Sequence, residues 1–294
     1  MISRNSMTEH PCYSSEASHK FARIHLAVAP RCNIGCKYCV RDFNCVNESR
    51  PGVCSEILTS IEALRRAEEV ISRDPRVRVI GIAGPGDPLA NDETFETLKL
   101  IHQKFPHLIK CLSTNGLLLP EKVDTLYESG VRALTVTINS ATSSTGSKIY
   151  SHINYHGKRY YGLEASTMLL SNQFDGVKEA VKMGMSVKIN SIFIPAINEG
   201  ELLKIAETVK EMGVDLMNIM PLIPLGDFAY LRPPSKIELQ NVQELCGKVI
   251  KIFKHCQQCR ADAVGLITER GSFGKGCVRP CTKISNKEVQ NICS

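Results

Sequence analysis

Between residues 21 and 254, β-branched runs alternate with amphipathic stretches, and this alternation limits the fold more than any other feature of the 294-residue chain. Strands are predicted at 21–29, 77–83, 108–114, 133–138, 186–194 and 216–222. Helices are predicted at 56–72, 92–105, 121–129, about 168–183, 199–212 and 236–254. Gly130 and Gly213 stand where two of these helices should close. Strands separated by helices at this interval make repeated βα units and so a parallel sheet. Six units are clear. The weak stretch 263–268 and the C-terminal tail are candidates for a seventh and an eighth. The expected class is α/β, a TIM-like (β/α) barrel, because residues suited to chemistry follow several strands and a barrel gathers those loops on one face. Residues 1–20 read as an N-terminal arm, 21–265 as the barrel and 266–294 as a tail.

Composition narrows the class. Hydrophobic residues make up 43% of the chain, enough for a sizeable core. No apolar run approaches the ~18 residues of a membrane span, and the N-terminus lacks the apolar segment of a secretory leader. Thirteen cysteines without a leader point to metal sites in a reduced, cytoplasmic compartment rather than to disulfides. The net charge of +6 is scattered, with no block of five basic residues, so neither nucleic acid nor membrane is an expected partner.

The cysteines carry the chemistry. Cys32, Cys36 and Cys39 are spaced C-x3-C-x2-C after an apolar run, with Tyr38 before the last of them. Zinc sites usually show two C-x2-C pairs farther apart. A [4Fe–4S] cluster normally takes four cysteines, so three leave one iron open. This loop resembles that of the radical SAM superfamily. The resemblance implies S-adenosylmethionine chelated at the open iron and cleaved reductively to a 5′-deoxyadenosyl radical. The turn Gly84-Pro-Gly-Asp-Pro88 resembles the superfamily's glycine-rich segment, which makes Gly84, Gly86 and Asp87 candidates for holding the methionine moiety. Asn115, Asn139 and Asn190, on or just after later strands, are candidate cofactor-binding amides.

Further thiols remain. Strand parity puts Cys111 on one face with Ser113 and Asn115. Cys12, Cys45 and Cys111 suit a second cluster, with His10 as a further ligand and His19 and His25 as its competitors. Cys256 and Cys259 form a third thiol pair, whose other ligands are open among Cys54, Cys277 and Cys281. Cys246 reads as a core residue and Cys293 as a tail thiol. The connection 140–166, rich in Tyr, His, Lys and Arg, reads as a lid over the barrel mouth.

Taken together, His10-Pro-Cys12, Cys32 to Cys39, the segment from Cys45 through Asn47-Glu48-Ser-Arg50 to Val53, Ala83 to Ala90, Ser113-Thr-Asn-Gly116 and the segment from Cys256 to Gly265 resemble the NifB family. The likeness covers nearly the whole chain, in the stand-alone form without a C-terminal cofactor-binding domain. It implies fusion of two [4Fe–4S] modules into an eight-iron, carbide-centred precursor of the nitrogenase cofactor, with S-adenosylmethionine as carbon source and radical generator. Three [4Fe–4S] clusters are then expected. Cys32, Cys36 and Cys39 would hold the radical-generating one, Cys12, Cys45 and Cys111 with His10 one substrate module, and Cys256 and Cys259 the other. Glu48, as proton acceptor or hydrogen-bonding group, and Arg50 are the candidate catalytic pair. The implied partners are iron–sulfur cluster donors, a low-potential electron donor and downstream carrier or scaffold proteins. The alternatives are a radical SAM maturase of a peptide or small molecule whose extra clusters only move electrons, and a non-catalytic iron–sulfur scaffold.

Overall fold

Strands that are apolar on both faces make parallel sheets covered on both sides, and this chain builds one. The computed structural model describes residues 4–40, 45, 54, 56–254, 256 and 259–267. Six parallel strands run in the order β1 (Ala22–His25), β3 (Val77–Ile82), β4 (Ile109–Thr114), β5 (Val131–Thr137), β8 (Ser186–Phe193) and β9 (Leu216–Pro221). All eight residues of β8 are buried. The sheet curls into a half-barrel, and the helices α2 (Ser60–Arg73), α3 (Asp92–Lys104), α4 (Leu119–Glu128), α6 (Gly162–Lys182), α7 (Leu202–Glu211) and α8 (Lys236–Gly247) alternate with its strands. The main apolar core joins the two layers, with Leu98, Leu126, Val177 and Val209 from helices against Ile80, Leu112, Leu134 and Val187 from strands. The arm, a 3-10 turn at Arg4–Glu9 and α1 (Ser15–Lys20), folds back on the barrel, where Tyr13 Oη donates to Leu134 O and Ser186 O. Among the described residues, no helix is long and apolar enough to cross a membrane.

The structure corrects several expected elements. The first long helix starts at Ser60 rather than 56, because Thr59 and Glu62 form a reciprocal capping box. Ile57, ahead of the helix, and Ile61, in its first turn, are 44% and 49% exposed. The last helix stops at Gly247, and the chain beyond it runs beside β9, with Phe253 N donating to Met217 O (2.8 Å). The candidate seventh strand is β10 (Val264–Gly265), which pairs antiparallel with β1 and closes that edge. The candidate eighth lies outside the described residues. The 140–166 connection is ordered: α5 (Ser143–Ile149) leads into a hairpin of β6 (Tyr150–Tyr155) and β7 (Lys158–Tyr161). The hairpin pairs with β2 (Ile34–Cys36), so the expected lid is a second sheet built on the cysteine loop.

Candidate active site

The loop carrying Cys32, Cys36 and Cys39 is gripped from several directions. β2 pairs antiparallel with β6, Ile34 against Ile153 and Cys36 against Tyr150. Lys37 N donates to Ile149 O (2.9 Å), and Cys39 N turns back to Cys36 O (3.0 Å). Phe228 N, at the end of the 3-10 turn Gly226–Phe228, donates to Lys37 O (3.3 Å). Tyr38 is buried, and its hydroxyl accepts from Asn139 Nδ2 (2.7 Å). Asn139 also reaches Tyr150 Oη (3.2 Å), and its Oδ1 accepts from Ile192 N (2.8 Å). Asn139 therefore ties the loop, β6 and β8 together. Asn190 Oδ1 accepts from Asn218 Nδ2 (3.1 Å) inside the sheet.

The Gly84–Pro88 turn locks onto the residues just before Cys32. Gly86 N donates to Ala29 O (2.6 Å), and Asp87 N to Arg31 O (2.8 Å). Contact is so close that a Cβ on Gly86 would lie 2.2 Å from Arg31 O. Asp87 is 3% exposed, and its carboxylate accepts from Thr114 Oγ1, Asn115 N (2.6 Å) and Leu89 N. Burial outweighs these donors and pushes its pKa up to about 6. Asn115 Nδ2 donates to Asn33 Oδ1 (2.7 Å) and lies 3.9 Å from Cys32 Sγ. Together these segments wall a cleft of about 380 Å³ lined by Cys32, Cys36, Cys39, Cys45, Gly86 and Asn115 among others. Cys45 belongs to this mouth, where its N–H donates to Pro85 O (2.8 Å).

A second group of donors lies inside the barrel. Cys12, Cys111 and Cys256 pack against Met7, Tyr13 and Phe253. The Cys12 thiol is pushed up to about 11 by burial, against the pull of Lys188 and Arg23 toward its thiolate. Arg23 is 6% exposed, and its Nη2 donates to Cys259 Sγ (3.0 Å). Lys188 is 7% exposed, with Nζ 5.9 Å from the Tyr13 ring centroid and 5.6 Å from that of Phe253. The sequence reading passed over these two cations. Their signal is a charged residue flanked by apolar neighbours within a predicted strand, Arg23 between Ala22 and Ile24 and Lys188 between Val187 and Ile189.

The two histidines differ in tautomer. His10 Nδ1 accepts from Cys12 N (3.0 Å), so the neutral ring carries its proton on Nε2, which is buried without a partner among the described residues. His25 Nδ1 faces Arg260 O (3.0 Å). A carbonyl only accepts, so His25 donates from Nδ1 and keeps its lone pair on Nε2. Burial holds both rings neutral, His25 with a pKa of about 4. His25 Nε2 and Cys111 Sγ converge over Gly81, whose Cβ would lie 3.3 and 2.9 Å from them. His25 thus presents an Nε2 lone pair beside Cys111, and His10 presents a buried Nε2 that no described residue engages.

The mouth donors fit an iron–sulfur cluster, since Cys32, Cys36, Cys39 and Cys45 line one open cleft and thiolates are the ligands such clusters take. Cys54 packs with Ala27 and Ala261, and Cys246 is fully buried in the main core. Glu48, Arg50, Cys277, Cys281 and Cys293 lie outside the described residues.

Residues 26–221 match the Radical SAM superfamily. The FeMo cofactor biosynthesis protein NifB of Methanocaldococcus jannaschii is 46% identical over 264 residues, covering 89% of this chain and 87% of that protein. Its counterpart in Bradyrhizobium diazoefficiens is 46% identical over 267 residues, covering 88% of this chain. The chain spans 54% of the length of that relative. Among solved structures, Streptococcus suis SuiB bound to S-adenosylmethionine superposes with a TM-score of 0.56 at 12% identity, covering 79% of this chain and 50% of that one. The likeness is one of fold.

Proposed function

Because the chain belongs to the radical SAM superfamily and, within it, to the NifB family, we propose that it is a radical SAM enzyme of FeMo cofactor biosynthesis. In this reading it joins two [4Fe–4S] modules into an eight-iron, carbide-centred precursor. The observation that carries the reading is the second group of donors. A single-cluster enzyme needs the mouth thiols only, whereas this barrel adds Cys12, Cys111, Cys256, Cys259 and His25 beside two buried cations.

Cys32, Cys36 and Cys39 would hold the resident cluster, which supplies one electron to S-adenosylmethionine when bound. Gly84 and Gly86 bring turn backbone to the cleft, and Asn115 points an amide at its floor. Asp87, Asn139 and Asn190, whose polar atoms bond within the protein, set the positions of these groups. Cys12 and Cys111 of the deeper group, Cys45 of the cleft and His25 would hold one substrate module, and Cys256 and Cys259 the other. Lys188 and Arg23 offset the negative charge that thiolate-bound clusters bring into an apolar interior. Glu48 completes the proposal as the group that accepts protons while the methyl carbon is stripped, and Arg50 as a permanent cation.

Iron per chain after anaerobic reconstitution tests the reading. Three cubanes give ~12 irons, and Cys256→Ala/Cys259→Ala should hold about eight, at four per cluster, with cleavage of S-adenosylmethionine retained. About four irons in both proteins would leave a single-cluster maturase instead. A companion prediction separates the histidines. Nitrogen hyperfine coupling to a reduced cluster, read by pulsed EPR, should vanish in His25→Ala and persist in His10→Phe. The reverse pattern would reassign the ligand.

A further inference from the structure

Asn115 is held at each of its polar atoms. Its N–H donates to Asp87 Oδ2 (2.6 Å), and its carbonyl accepts from Gln173 Nε2 (2.7 Å). Gln173, in α6, is 1% exposed, and its Nε2 also donates to Thr137 O (2.9 Å). One buried amide thus ties the ends of β4 and β5 to the helix behind them. In the side chain, Asn115 Oδ1 accepts from Leu117 N (2.9 Å), across a turn that Gly116 makes with a φ of 83°.

The bond from Leu117 decides what faces the cysteine loop. A backbone N–H only donates, so the end of the amide turned to it is the oxygen and the other end is Nδ2, with two protons. One of them goes to Asn33 Oδ1 (2.7 Å). Cys32 precedes Asn33 directly, and its Sγ lies 3.9 Å from the same Nδ2, on the side of the second proton. Asn115 is 6% exposed in the wall of the cleft, so little water competes for that proton. A thiolate accepts more strongly than a thiol, since bonds to ions are shorter and about twice as strong.

We propose that the Asn115 amide is the hydrogen-bond donor to the Cys32 thiolate of the resident cluster and raises that cluster's reduction potential. The proposal rests on the reading that Cys32, Cys36 and Cys39 hold a [4Fe–4S] cluster. Hydrogen bonds to the sulfurs are among the factors that set such a potential. A donor favours the reduced cluster, which carries one more negative charge. Asn115 then acts on the sulfur rather than on S-adenosylmethionine, and Asn33 is the contact that aims it.

The test is a redox titration of the reconstituted protein, followed by EPR, without S-adenosylmethionine. The signal that changes when S-adenosylmethionine is added afterwards marks the resident cluster. Asn115→Ala removes the donor and keeps the main-chain bonds to Asp87 and Gln173. Asn115→Ser also keeps an acceptor for Leu117 N and is too short to reach the sulfur. In both, the ratio of reduced to oxidised cluster at a fixed potential should fall about tenfold, a midpoint about 59 mV lower for one electron. Iron content should stay as in the natural protein, and the Kd for S-adenosylmethionine should change less than tenfold. Asn115→Ser decides alone if Asn115→Ala loses iron. Unchanged midpoints would overturn the proposal. A Kd raised tenfold or more with the midpoint unchanged would make the amide a contact of S-adenosylmethionine instead, and loss of iron in both variants would make it a support of the loop. Absence of cluster iron from the natural protein would remove the reading of the site and the proposal with it, an outcome that iron analysis separates from the others.

Discussion

Gly86→Ala is expected to unseat the cysteine loop. The added methyl would sit 2.2 Å from Arg31 O, 2.6 Å from Arg31 C and 2.9 Å from Pro30 O, all backbone atoms that no rotamer change can clear. Arg31 cannot retreat cheaply. Its carbonyl accepts from Asp87 N (2.8 Å) and Asn91 Nδ2 (2.9 Å), and its N–H is held by Asn91 Oδ1 (3.1 Å). Making room breaks these bonds and the one from Gly86 N to Ala29 O, at about 1 kcal/mol each, so a loss of about 3–4 kcal/mol is expected. Cys32 follows Arg31 directly, so radical-site iron should fall with stability. Urea unfolding and iron content on the same samples check this. Gly200→Ala is the control, because nothing lies within 4 Å of its Cβ position, and it should change stability by no more than about 0.5 kcal/mol. Wild-type stability and iron in Gly86→Ala would mean that the turn and the loop are not interlocked.

Asn139→Leu is the second large effect. The side chain is fully buried and makes three hydrogen bonds, to Tyr38 Oη, Tyr150 Oη and from Ile192 N. Leucine fills similar volume and makes none of them. It strands a buried amide proton and two phenol oxygens, at about 1–3 kcal/mol per group, so about 3–5 kcal/mol in total is expected. Two measurements separate a supporting role from direct contact with ligand. Chemical denaturation should show the loss, and at low temperature, where the variant stays folded, the Kd for S-adenosylmethionine should change less than tenfold. A larger rise in Kd with unchanged stability would make Asn139 a contact residue.

The parallel strands were legible because each is a short apolar run between turn signals, and length separates such runs from helices. The hairpin was hidden by mixed polarity: in Tyr150-Ser-His-Ile-Asn-Tyr155 the inward residues are few. Its signal was nonetheless present. His156 and Gly157 both have positive φ, 48° and 75°, and Tyr155 pairs with Lys158 across them. A two-residue turn ending in glycine between β-prone runs is a hairpin signature. The early stop of α8 was likewise marked by Gly247. The thiol motifs could be read by spacing alone, since C-x3-C-x2-C places its donors on one loop whatever surrounds it. The rest of the site could not. The tautomer of His25 depends on the carbonyl of Arg260, distant in sequence. The nearness of Arg23 to Cys259 exists only because β10 returns to β1. Nor does a motif show that Gly86 is there for the sake of Arg31.

The pairing of β2 with β6 also orders events in time. β2 has three residues, too few to hold as a strand alone. Its partner lies beyond four of the parallel strands in the chain, and the turn at Gly226–Phe228 that braces Lys37 comes later still. During synthesis, Cys32, Cys36 and Cys39 therefore leave the ribosome long before anything can shape them into a binding site. Contacts this distant in sequence form late, and domains generally fold as units. Iron loading of the mouth is thus a step for the finished barrel, and thiols on a half-made chain stand exposed to oxidation until residue 228 has been added.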